Sequence, residues 1–371
     1  MQQIKTLLFI LFVFLLVKPV WTEAAPNKKA VLMVLSSHGQ QNGQEAPGYE
    51  FDEFAKAYLV FKHNGLTVDI ASPKGGVIEA DKFDSKKPYN AEVLSDKGIM
   101  AKLNNTLSTA QINADEYQSV FIVGGKGAMF DLPKDTSLQA IIADIYQQQG
   151  TVAAVCHGPA ALIDVQLNDG NYLVANKAVN SFTNLEEGLF GKKWLSEFEF
   201  MLEDKLVERG GKFQSSDIML SHVAVDERLI TGQNPSSTVA VANELVKSLG
   251  IKPKKLAQYR DDKTLALVAQ ILAGDNNAQQ ALLSNQQEYQ IELIGMYGFY
   301  YLNVAETDQD LGNALILMTL AQEAINNPRL DMQIAKTQHR LGDSEAAAST
   351  LKQLLANKPD FEPALDLLKT L

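Results

Sequence analysis

The sequence predicts an α/β fold: a doubly wound, mostly parallel sheet covered by helices, followed by a smaller all-α domain. From Lys28 to about Gly250, short β-rich runs alternate with amphipathic segments of helical length, which is the pattern of strands joined by crossover helices. Cys156, the only cysteine of the 371 residues, directly follows one of the apolar runs. Beyond Ile251, helical segments continue with almost no β-rich runs.

Aromatic spacing and glycines define the predicted helices. The helix over Phe51–Asn64 has aromatic residues on one face, and Gly65 ends it. A second helix covers Leu138–Gln148 and is closed by Gly150, and the last helix of this part covers Ser237–Leu249. The strands are predicted at Ala30–Leu35, Thr67–Ala71, Val120–Val123, Val152–Val155, Ala178–Phe182, His222–Val225 and Leu229–Thr231.

Cys156 lies where the apolar run over Thr151–Val155 ends and a segment of small residues begins. A strand–turn–helix elbow of this kind raises a nucleophile above the carboxyl edge of a parallel sheet, where the sites of such folds lie. We predict that the N-terminus of the following helix and the adjacent His157 lower the pKa of the thiol and activate it. The alternative for a lone cysteine is a small buried apolar residue without a chemical role.

Residues 1–24 are predicted to be a signal peptide. Lys5 precedes an apolar run over Leu7–Val17, which is too short to cross a bilayer comfortably. We place cleavage between Ala24 and Ala25, and the alternative is an uncleaved N-terminal anchor. The mature chain is then exported, to the periplasm or the medium, where its single cysteine can form no internal disulfide.

Composition and charge argue against several classes of protein. Hydrophobic residues make up 46% of the chain and charged residues 21%, which is ordinary for a packed core. The formal net charge is −11, and no stripe of lysine and arginine could neutralise phosphates, so we expect no nucleic-acid partner. No further apolar run has membrane length, so we expect no membrane contact after signal removal. The histidines other than His157 show no metal-ligand spacing, and we expect no metal.

The chain is predicted to divide into a catalytic domain over 25–252 and a helical domain over 253–371, each able to fold alone. Pro253, its neighbouring lysines and Tyr259–Lys263 form the predicted linker. One stretch has the spacing of a tetratricopeptide repeat, whose stacked copies offer a concave surface to a peptide. We therefore expect a protein or peptide partner, or a second copy of the chain in a homodimer; an unrelated helical bundle is the alternative. The spacing runs through Ala335, Gly342, Asp343, Ala347, Leu351, Leu354 and Pro359.

Six segments, in the expected order, resemble the ThiJ/PfpI superfamily, and most closely its glyoxalase III and stress-chaperone branch. They cover nearly all of residues 28–250, and the helical tail is outside the resemblance. The resemblance implies the flavodoxin-like, class I glutamine amidotransferase-like form of the α/β fold. The segments are GYEFDEF at 48–54, VDIASPKGG at 68–76, VGGKGAMFDLP at 123–133, AVCHGPAAL at 154–162, SFTNLEE at 181–187 and LITGQNPSS at 229–237.

The resemblance also implies a role for individual residues. Cys156 corresponds to the family nucleophile and His157 to the histidine beside it. Glu187 corresponds to the acid that orients this histidine, although spacing alone does not choose between Glu187 and Glu186. Glu53 corresponds to a helix glutamate whose carboxyl group approaches the thiol. Without the resemblance, Glu53 would be interpreted as a solvated carboxylate.

The implied activity is a cysteine-dependent conversion of a small 2-oxoaldehyde, such as methylglyoxal, to a 2-hydroxy acid without glutathione or any other cofactor. Gly125 corresponds to the glycine whose backbone N–H, with that of His157, holds a developing oxyanion. Lys126 stands where the branch often has a histidine; it places a cation at the pocket mouth but cannot act as an imidazole. The alternatives are a Cys–His hydrolase of peptides or amides, a protein deglycase, and a non-catalytic holdase or scaffold.

Overall fold

The computed structural model describes residues 29–371, and the predicted signal peptide lies outside them. Strands and helices alternate up to about Gly250, and helices alone follow, which confirms the predicted fold class.

The strands are β1 (Lys29–Val34), β2 (Val68–Ser72), β3 (Leu107–Ser108), β4 (Tyr117–Ile122), β5 (Thr151–Val155), β6 (Ala178–Val179), β7 (Lys212–Phe213), β8 (Val223–Asp226) and β9 (Leu229–Gly232). The helices of the first part are α1 (Phe51–His63), α2 (Pro88–Ser95), α3 (Lys97–Leu103), α4 (Ala128–Asp131), α5 (Thr136–Gln147), α6 (Asn184–Phe190), α7 (Leu202–Glu208) and α8 (Thr238–Ser248). The helices of the second part, here called the helical tail, are α9 (Arg260–Leu272), α10 (Asn276–Ser284), α11 (Ile291–Leu302), α12 (Asp308–Ile325), α13 (Pro328–Arg340), α14 (Ser344–Asn357) and α15 (Glu362–Thr370).

The central sheet has the strand order β3-β2-β1-β4-β5-β9-β8. Its strands are parallel except at the edge, where β8 runs antiparallel to β9. Ile122 of β4 pairs with Val34 of β1 and with Ala154 of β5. The carboxyl ends of these three central strands therefore lie at one level, and the residues that follow them share one edge of the sheet.

Apolar residues cover both faces of this sheet. Val31 and Met33 of β1 belong to a buried cluster that includes α1 and α8. Leu32 and Val34 point the other way and belong to a second cluster that includes α5. Because successive side chains of a strand point to opposite faces, a strand buried on both faces is a continuous apolar run, which is why these strands could be found in the sequence.

The predicted strand over Ala178–Phe182 is wrong in length and in place. Only its first two residues form β6, which pairs with β7 in a separate two-stranded sheet. The Asn180 N–H donates to Thr231 Oγ1 (2.8 Å), and the Phe182 N–H donates to the Cys156 carbonyl (2.9 Å). These bonds turn the chain toward Cys156. The short helices α2, α3, α6 and α7 were not predicted, because seven or eight residues carry too little periodicity.

The predicted linker over Tyr259–Lys263 is also wrong, because α9 already begins at Arg260. The Tyr259 ring packs against Tyr89 of α2 at 4.8 Å between centroids, which fixes the start of the helical tail on the first part of the chain. Among residues 29–371, no helix has both the length and the apolar character that a membrane crossing requires.

The tetratricopeptide-like spacing coincides with the contact between α13 and α14. Ala335, Leu351 and Leu354 are buried together in a small apolar cluster, and Ala347 is fully buried. Helices that stack in this way bury their apolar faces against their neighbours alone. Assignment of these helices to that repeat family stays a prediction.

Candidate active site

The nucleophile elbow predicted at Cys156 is present at the end of β5. Cys156 has a φ of 59°, in the left-handed region that non-glycine residues rarely occupy. The Cys156 N–H donates to the Gly232 carbonyl (2.8 Å), and the Cys156 carbonyl accepts from the Phe182 N–H (2.9 Å). These partners lie on β9 and after β6, so the surrounding fold holds the strained turn. Cys156 is 4% exposed.

The segment after Cys156 differs from the helix that the sequence suggested. Gly158–Leu162 forms a buried 3₁₀ helix of 5 residues with Pro159 in its first turn. So short a helix has a weaker dipole than a regular α-helix of several turns. A Cβ on Gly158 would lie 2.5 Å from the Ile122 carbonyl oxygen, which shows how closely this turn packs on β4. The positive helix end that was expected to lower the pKa of the thiol is therefore small.

Cys156, His157 and Glu187 form a hydrogen-bonded line. His157 Nδ1 lies 3.3 Å from Cys156 Sγ, and His157 Nε2 lies 2.7 Å from Glu187 Oε2. All three side chains are buried. The Glu187 carboxylate keeps the imidazole proton on Nε2, which leaves the Nδ1 lone pair facing the thiol. His157 is therefore placed to accept the thiol proton.

The structure separates Glu187 from its neighbour Glu186, which sequence spacing could not do. Both lie in the first turn of α6. Glu186 Oε1 accepts hydrogen bonds from the Met219 N–H (2.6 Å), the Gln233 amide (3.0 Å) and the Asn234 amide (2.9 Å). These bonds tie α6 to the segment before β8 and to the turn after β9. Glu186 is thus a structural residue, and its neighbour alone contacts the imidazole.

Gly191, directly after α6, leaves the space that the Glu187 carboxylate occupies. A Cβ on Gly191 would lie 1.6 Å from Glu187 Oε1. Among the described residues, this buried oxygen has no hydrogen-bond partner. The position of the carboxylate therefore depends on the His157 contact and on the absence of a side chain at residue 191.

We expect Gly191→Ala to lower kcat about tenfold to a hundredfold, because the new methyl group displaces the carboxylate that orients His157. Gly188→Ala is the matched control: Gly188 lies in α6 three residues before Gly191, and a Cβ there meets nothing within 4 Å. Steady-state kinetics of both variants test this. Equal kcat values for the two would show that catalysis does not depend on where Glu187 lies.

Glu53 of α1 is completely buried next to the thiol, with an exposed fraction of 0%. The Gly124 N–H donates to Glu53 Oε2 (2.7 Å), and the carboxyl group interacts with the Cys156 thiol. Only glycine fits at residue 124, since a Cβ would lie 2.7 Å from Glu53 Oε2 and 2.8 Å from Cys156 Cβ. The thiol thus has two titratable neighbours, an imidazole and a carboxyl group.

Burial raises the pKa of the Cys156 thiol, and the Glu53 carboxylate raises it further. The lowered pKa that the sequence predicted is therefore wrong. That prediction rested on a helix N-terminus and on His157, whereas the packing of Glu53 beside the thiol could not be seen in the sequence. Burial also raises the pKa of Glu53 well above its usual range. A buried thiol and a buried carboxyl group share at most one negative charge near neutral pH.

Alkylation by iodoacetamide should report this raised pKa. The thiolate is the reactive form, so a thiol with a raised pKa reacts more slowly at a given pH than a free cysteine, whose pKa is about 8.5. We expect the alkylation rate of Cys156 to reach half its maximum above about pH 8.5. Rates measured across neutral and alkaline pH test this. A rate already maximal at neutral pH would show that the elbow and His157 dominate instead.

Two backbone N–H groups next to the nucleophile are free to bind a developing oxyanion. Within residues 29–371, neither the Gly125 N–H nor the His157 N–H donates a hydrogen bond. Gly125 has a φ of 94°, and a Cβ there would lie 2.4 Å from the Glu50 nitrogen, so the turn requires glycine. Donors that are fixed in advance stabilise negative charge as it forms on a substrate oxygen.

Lys126 is a half-buried cation in the same turn. Its ammonium forms no hydrogen bond or ion pair with the residues that the structure describes. Its charge nevertheless acts on the site, because it lowers the pKa of the Cys156 thiol and the pKa of Glu50. Burial acts in the opposite direction and raises the pKa of Glu50 to about 7. A lysine thus occupies the position that often holds a histidine in the branch.

Aromatic side chains beside His157 are a part of the site that the sequence analysis missed. The Phe182 and Phe198 rings lie 4.7 Å and 6.3 Å from the imidazole. Phe130 lies 5.5 Å from Phe198 and stacks on His38 at 4.4 Å. These rings come from separate segments of the chain, and no spacing in the sequence connects them. Only the position of Phe182 just before Glu187 could have served as a signal.

Two of the other histidines have local hydrogen-bond partners. His63 Nδ1 lies 2.7 Å from the Leu59 carbonyl oxygen, and His339 Nδ1 lies 3.1 Å from Ser344 Oγ. In the part of the chain that the structure describes, no group of His, Cys, Asp and Glu side chains is arranged to hold a metal ion.

Comparisons with known proteins cover most of the first part of the chain. The model of the DJ-1/PfpI family matches residues 45–248. The chain is 30% identical over 246 residues to a glutathione-independent glyoxalase of Schizosaccharomyces pombe, covering 61% of this chain and 99% of the relative. It is 30% identical over 237 residues to one of Saccharomyces cerevisiae, again covering 61% and 99%.

Two solved structures are similar to the first part of the chain. The Rapid Encystment Protein of Francisella tularensis has 34% sequence identity and a TM-score of 0.56, over 60% of this chain and 99% of that chain. Glyoxalase III of Candida albicans has a TM-score of 0.55 over 59% of this chain and 96% of that chain. At 23% identity, the second likeness shows the fold alone.

Proposed function

The chain belongs to the DJ-1/PfpI family, and on that premise we propose that it converts a small 2-oxoaldehyde such as methylglyoxal to a 2-hydroxy acid, with Cys156 as nucleophile and without glutathione. Relatives at 30% identity are named glutathione-independent glyoxalases. One observation carries the proposal: the thiol has both an imidazole, at 3.3 Å, and a fully buried carboxyl group, that of Glu53. This chemistry needs two such groups, one to activate the nucleophile and one to move a proton.

The first step is addition of the thiol to the aldehyde carbon. His157 Nδ1 accepts the thiol proton, and Glu187 stabilises the resulting imidazolium. As the S–C bond forms, the carbonyl electron pair moves to the oxygen, toward which the free N–H groups of Gly125 and His157 can donate. The oxygen then takes the proton from the imidazolium. The product is a hemithioacetal on Cys156.

The second step moves a proton between the two substrate carbons. Once the S–C bond has formed, the thiol no longer competes for negative charge, and Glu53 can ionise. The carboxylate takes the hydrogen of the former aldehyde carbon, and an enediolate forms. The hydroxyl proton on that carbon passes to the neighbouring oxygen, and the carboxyl group returns the first proton to the neighbouring carbon, which leaves a thioester of the 2-hydroxy acid on Cys156. A carboxyl group with a raised pKa suits both directions of this transfer near neutral pH. Water then cleaves the thioester, which releases the 2-hydroxy acid and restores the thiol.

The burial of the nucleophile favours a small substrate. Cys156 is 4% exposed, and the Phe182 and Phe198 rings lie close to its base, His157. A Cys–His peptidase or amidase needs room for chain on both sides of the bond that it cleaves. A deglycase acting on a folded protein needs comparable access. Both alternatives are therefore less well supported than the glyoxalase activity.

Binding of unfolded clients is a second candidate function, favoured by a groove in the helical tail. The groove has a volume of about 730 Å³ and is lined by α11, α13 and the start of α15. Met296 and Phe299, which line it, are exposed. Flexible methionine and aromatic side chains adapt to varied apolar partners, so the proposed occupant is an extended client segment with apolar side chains. Client aggregation followed by light scattering, with Met296→Glu as the comparison, tests this.

A substrate panel tests the proposed activity. The protein without its predicted signal segment is assayed against methylglyoxal, a glycated peptide and casein, each with Cys156→Ala alongside. We expect glutathione-independent turnover of methylglyoxal that is lost in the variant, and little or no turnover of casein. Turnover of casein or of the glycated peptide in preference to methylglyoxal would replace this proposal with the hydrolase or the deglycase.

A further inference from the structure

The helical tail rests on both helices that carry the acids of the active site. These helices are α1, which bears Glu53, and α6, which bears Glu187. From the sequence, the helical tail is expected to be an independent unit with its own partner. Contacts on both helices connect it to the active site instead.

On the α1 side, the contact is a buried ion cluster. Lys56 lies three residues after Glu53 and is 5% exposed. Its ammonium is 3.0 Å from Asp261 Oδ2 and 2.6 Å from Asp262 Oδ1. Both aspartates lie in the first turn of α9. Because a buried ammonium is strongly destabilised without a counter-charge, the position of α1 is tied to that of the helical tail.

A tyrosine extends this cluster to the residue beside Glu53. The Tyr89 hydroxyl lies 2.9 Å from Asp261 Oδ2 and 3.1 Å from Asp52 Oδ2. Asp52 directly precedes Glu53 and also accepts a hydrogen bond from Asn90 Nδ2 (2.6 Å). A continuous chain of polar contacts therefore runs from the first turn of the helical tail to the backbone that carries the catalytic acid.

On the α6 side, the contact is apolar. The Phe190 ring, at the end of α6, lies 4.8 Å from the Tyr300 ring of α11, and Leu189 packs on the core of the helical tail. Ile218 and Leu220, from the segment that bonds to α6, are buried inside that same core. The first part of the chain thus contributes apolar side chains to the core of the second.

Resting on the proposed function, we propose that the helical tail is a positioning unit of this active site, and that Lys56 is a positioning residue that holds Glu53 at the thiol through Asp261 and Asp262. The family match ends at residue 248, so Asp261 and Asp262 lie outside the matched residues. The proposal also argues against the expectation that the domains over 25–252 and 253–371 are independent of each other.

The test uses the full chain and variants outside the catalytic residues. Lys56→Gln removes the cation, and Lys56→Arg keeps it. Lys62→Gln is the matched control, because Lys62 lies on the same helix, is 44% exposed and pairs with Asp96 at 2.8 Å rather than with the helical tail. Asp261→Asn is a milder change in the helical tail, because it removes one of the two carboxylates that pair with Lys56 and leaves the other, Asp262. Circular dichroism establishes that each variant is folded.

We expect Lys56→Gln to lower kcat about tenfold to a hundredfold while KM changes less than about twofold. The pH midpoint of Cys156 alkylation should move down, because a displaced Glu53 raises the pKa of the thiol less. Lys56→Arg should restore both values, and Asp261→Asn should shift kcat and the alkylation midpoint in the same direction as Lys56→Gln, but by less.

The proposal would be overturned if folded Lys56→Gln and Asp261→Asn proteins both had the same kcat and the same alkylation midpoint as Lys62→Gln. If Lys56→Gln does not fold, Asp261→Asn decides alone. The alkylation readout needs no substrate, so lack of methylglyoxal turnover in the wild type would overturn the proposed function and leave this test intact.

Discussion

Cys156→Ala is expected to abolish turnover of the 2-oxoaldehyde, lowering kcat by at least about 10⁴-fold, because no covalent adduct can form without Sγ. The remaining groups of the site stay in place, since His157 keeps its 2.7 Å contact with Glu187 and Glu53 keeps its bond from the Gly124 N–H. Proton transfer groups without a nucleophile have no hemithioacetal on which to act. Consumption of methylglyoxal by the purified variant measures the effect.

Loss of activity in Cys156→Ala has to be separated from loss of structure. Cys156 contributes a small side chain to a large apolar cluster, so the thermal midpoint should fall only modestly, as measured by circular dichroism. Cys156→Ser is a useful companion, because a hydroxyl can still bond to His157 but is much harder to deprotonate. Full activity in Cys156→Ala would contradict the covalent mechanism.

Glu53→Gln is expected to lower kcat about 10²-fold to 10⁴-fold, the usual contribution of a positioned acid–base group. The amide has the same shape, and its oxygen can still accept from the Gly124 N–H, but it cannot carry a proton between two carbons. KM should change little, because the hemithioacetal can still form. Steady-state kinetics with methylglyoxal test this.

Controls for Glu53→Gln come from other glutamates. Glu92→Gln, exposed on α2, should have no effect, and Glu187→Gln should reduce kcat less than Glu53→Gln, since it orients the base. If Glu53→Gln keeps wild-type kcat while Cys156→Ala is inactive, the proton is moved by His157 instead.

The raised pKa of Glu53 also has a consequence for stability. The folded state holds this proton more tightly than the unfolded state, where a glutamate has a pKa of about 4.3. Glu53 therefore lowers the stability of the fold progressively as the pH rises above about 4.3. Glu53→Gln should remove this loss and raise the thermal midpoint at neutral pH, although it lowers activity. A thermal midpoint of Glu53→Gln below that of the wild type at neutral pH would show that the folded protein already stabilises the Glu53 carboxylate.

The fold and the nucleophile could be predicted because their signals are local. A strand buried on both faces is a continuous apolar run, and Cys156 directly follows one such run. His157 is its neighbour in sequence, so their contact at 3.3 Å needs no knowledge of the tertiary structure. The prediction of a regular helix after the elbow was wrong because small residues permit the close packing of Gly158 on β4, and the sequence does not show that packing.

The role of Glu53 could not be deduced from local signals. A glutamate on an amphipathic helix is normally solvated, and only the packing of α1 over the carboxyl edge of the sheet buries it. The error in the pKa of the thiol has the same origin. Asp261 and Asp262 were assigned to a linker for a similar reason: their partner, Lys56, lies more than 200 residues earlier in the chain.

The covalent mechanism is tested most directly by following methylglyoxal and lactate by NMR, without glutathione, in parallel samples of the wild type, Cys156→Ala and Glu53→Gln. It predicts that the wild type converts methylglyoxal to lactate, that Cys156→Ala forms none above the uncatalysed rate, and that Glu53→Gln forms it at least about 10²-fold more slowly. Lactate formed by Cys156→Ala at the wild-type rate, or none formed by the folded wild type, would contradict it.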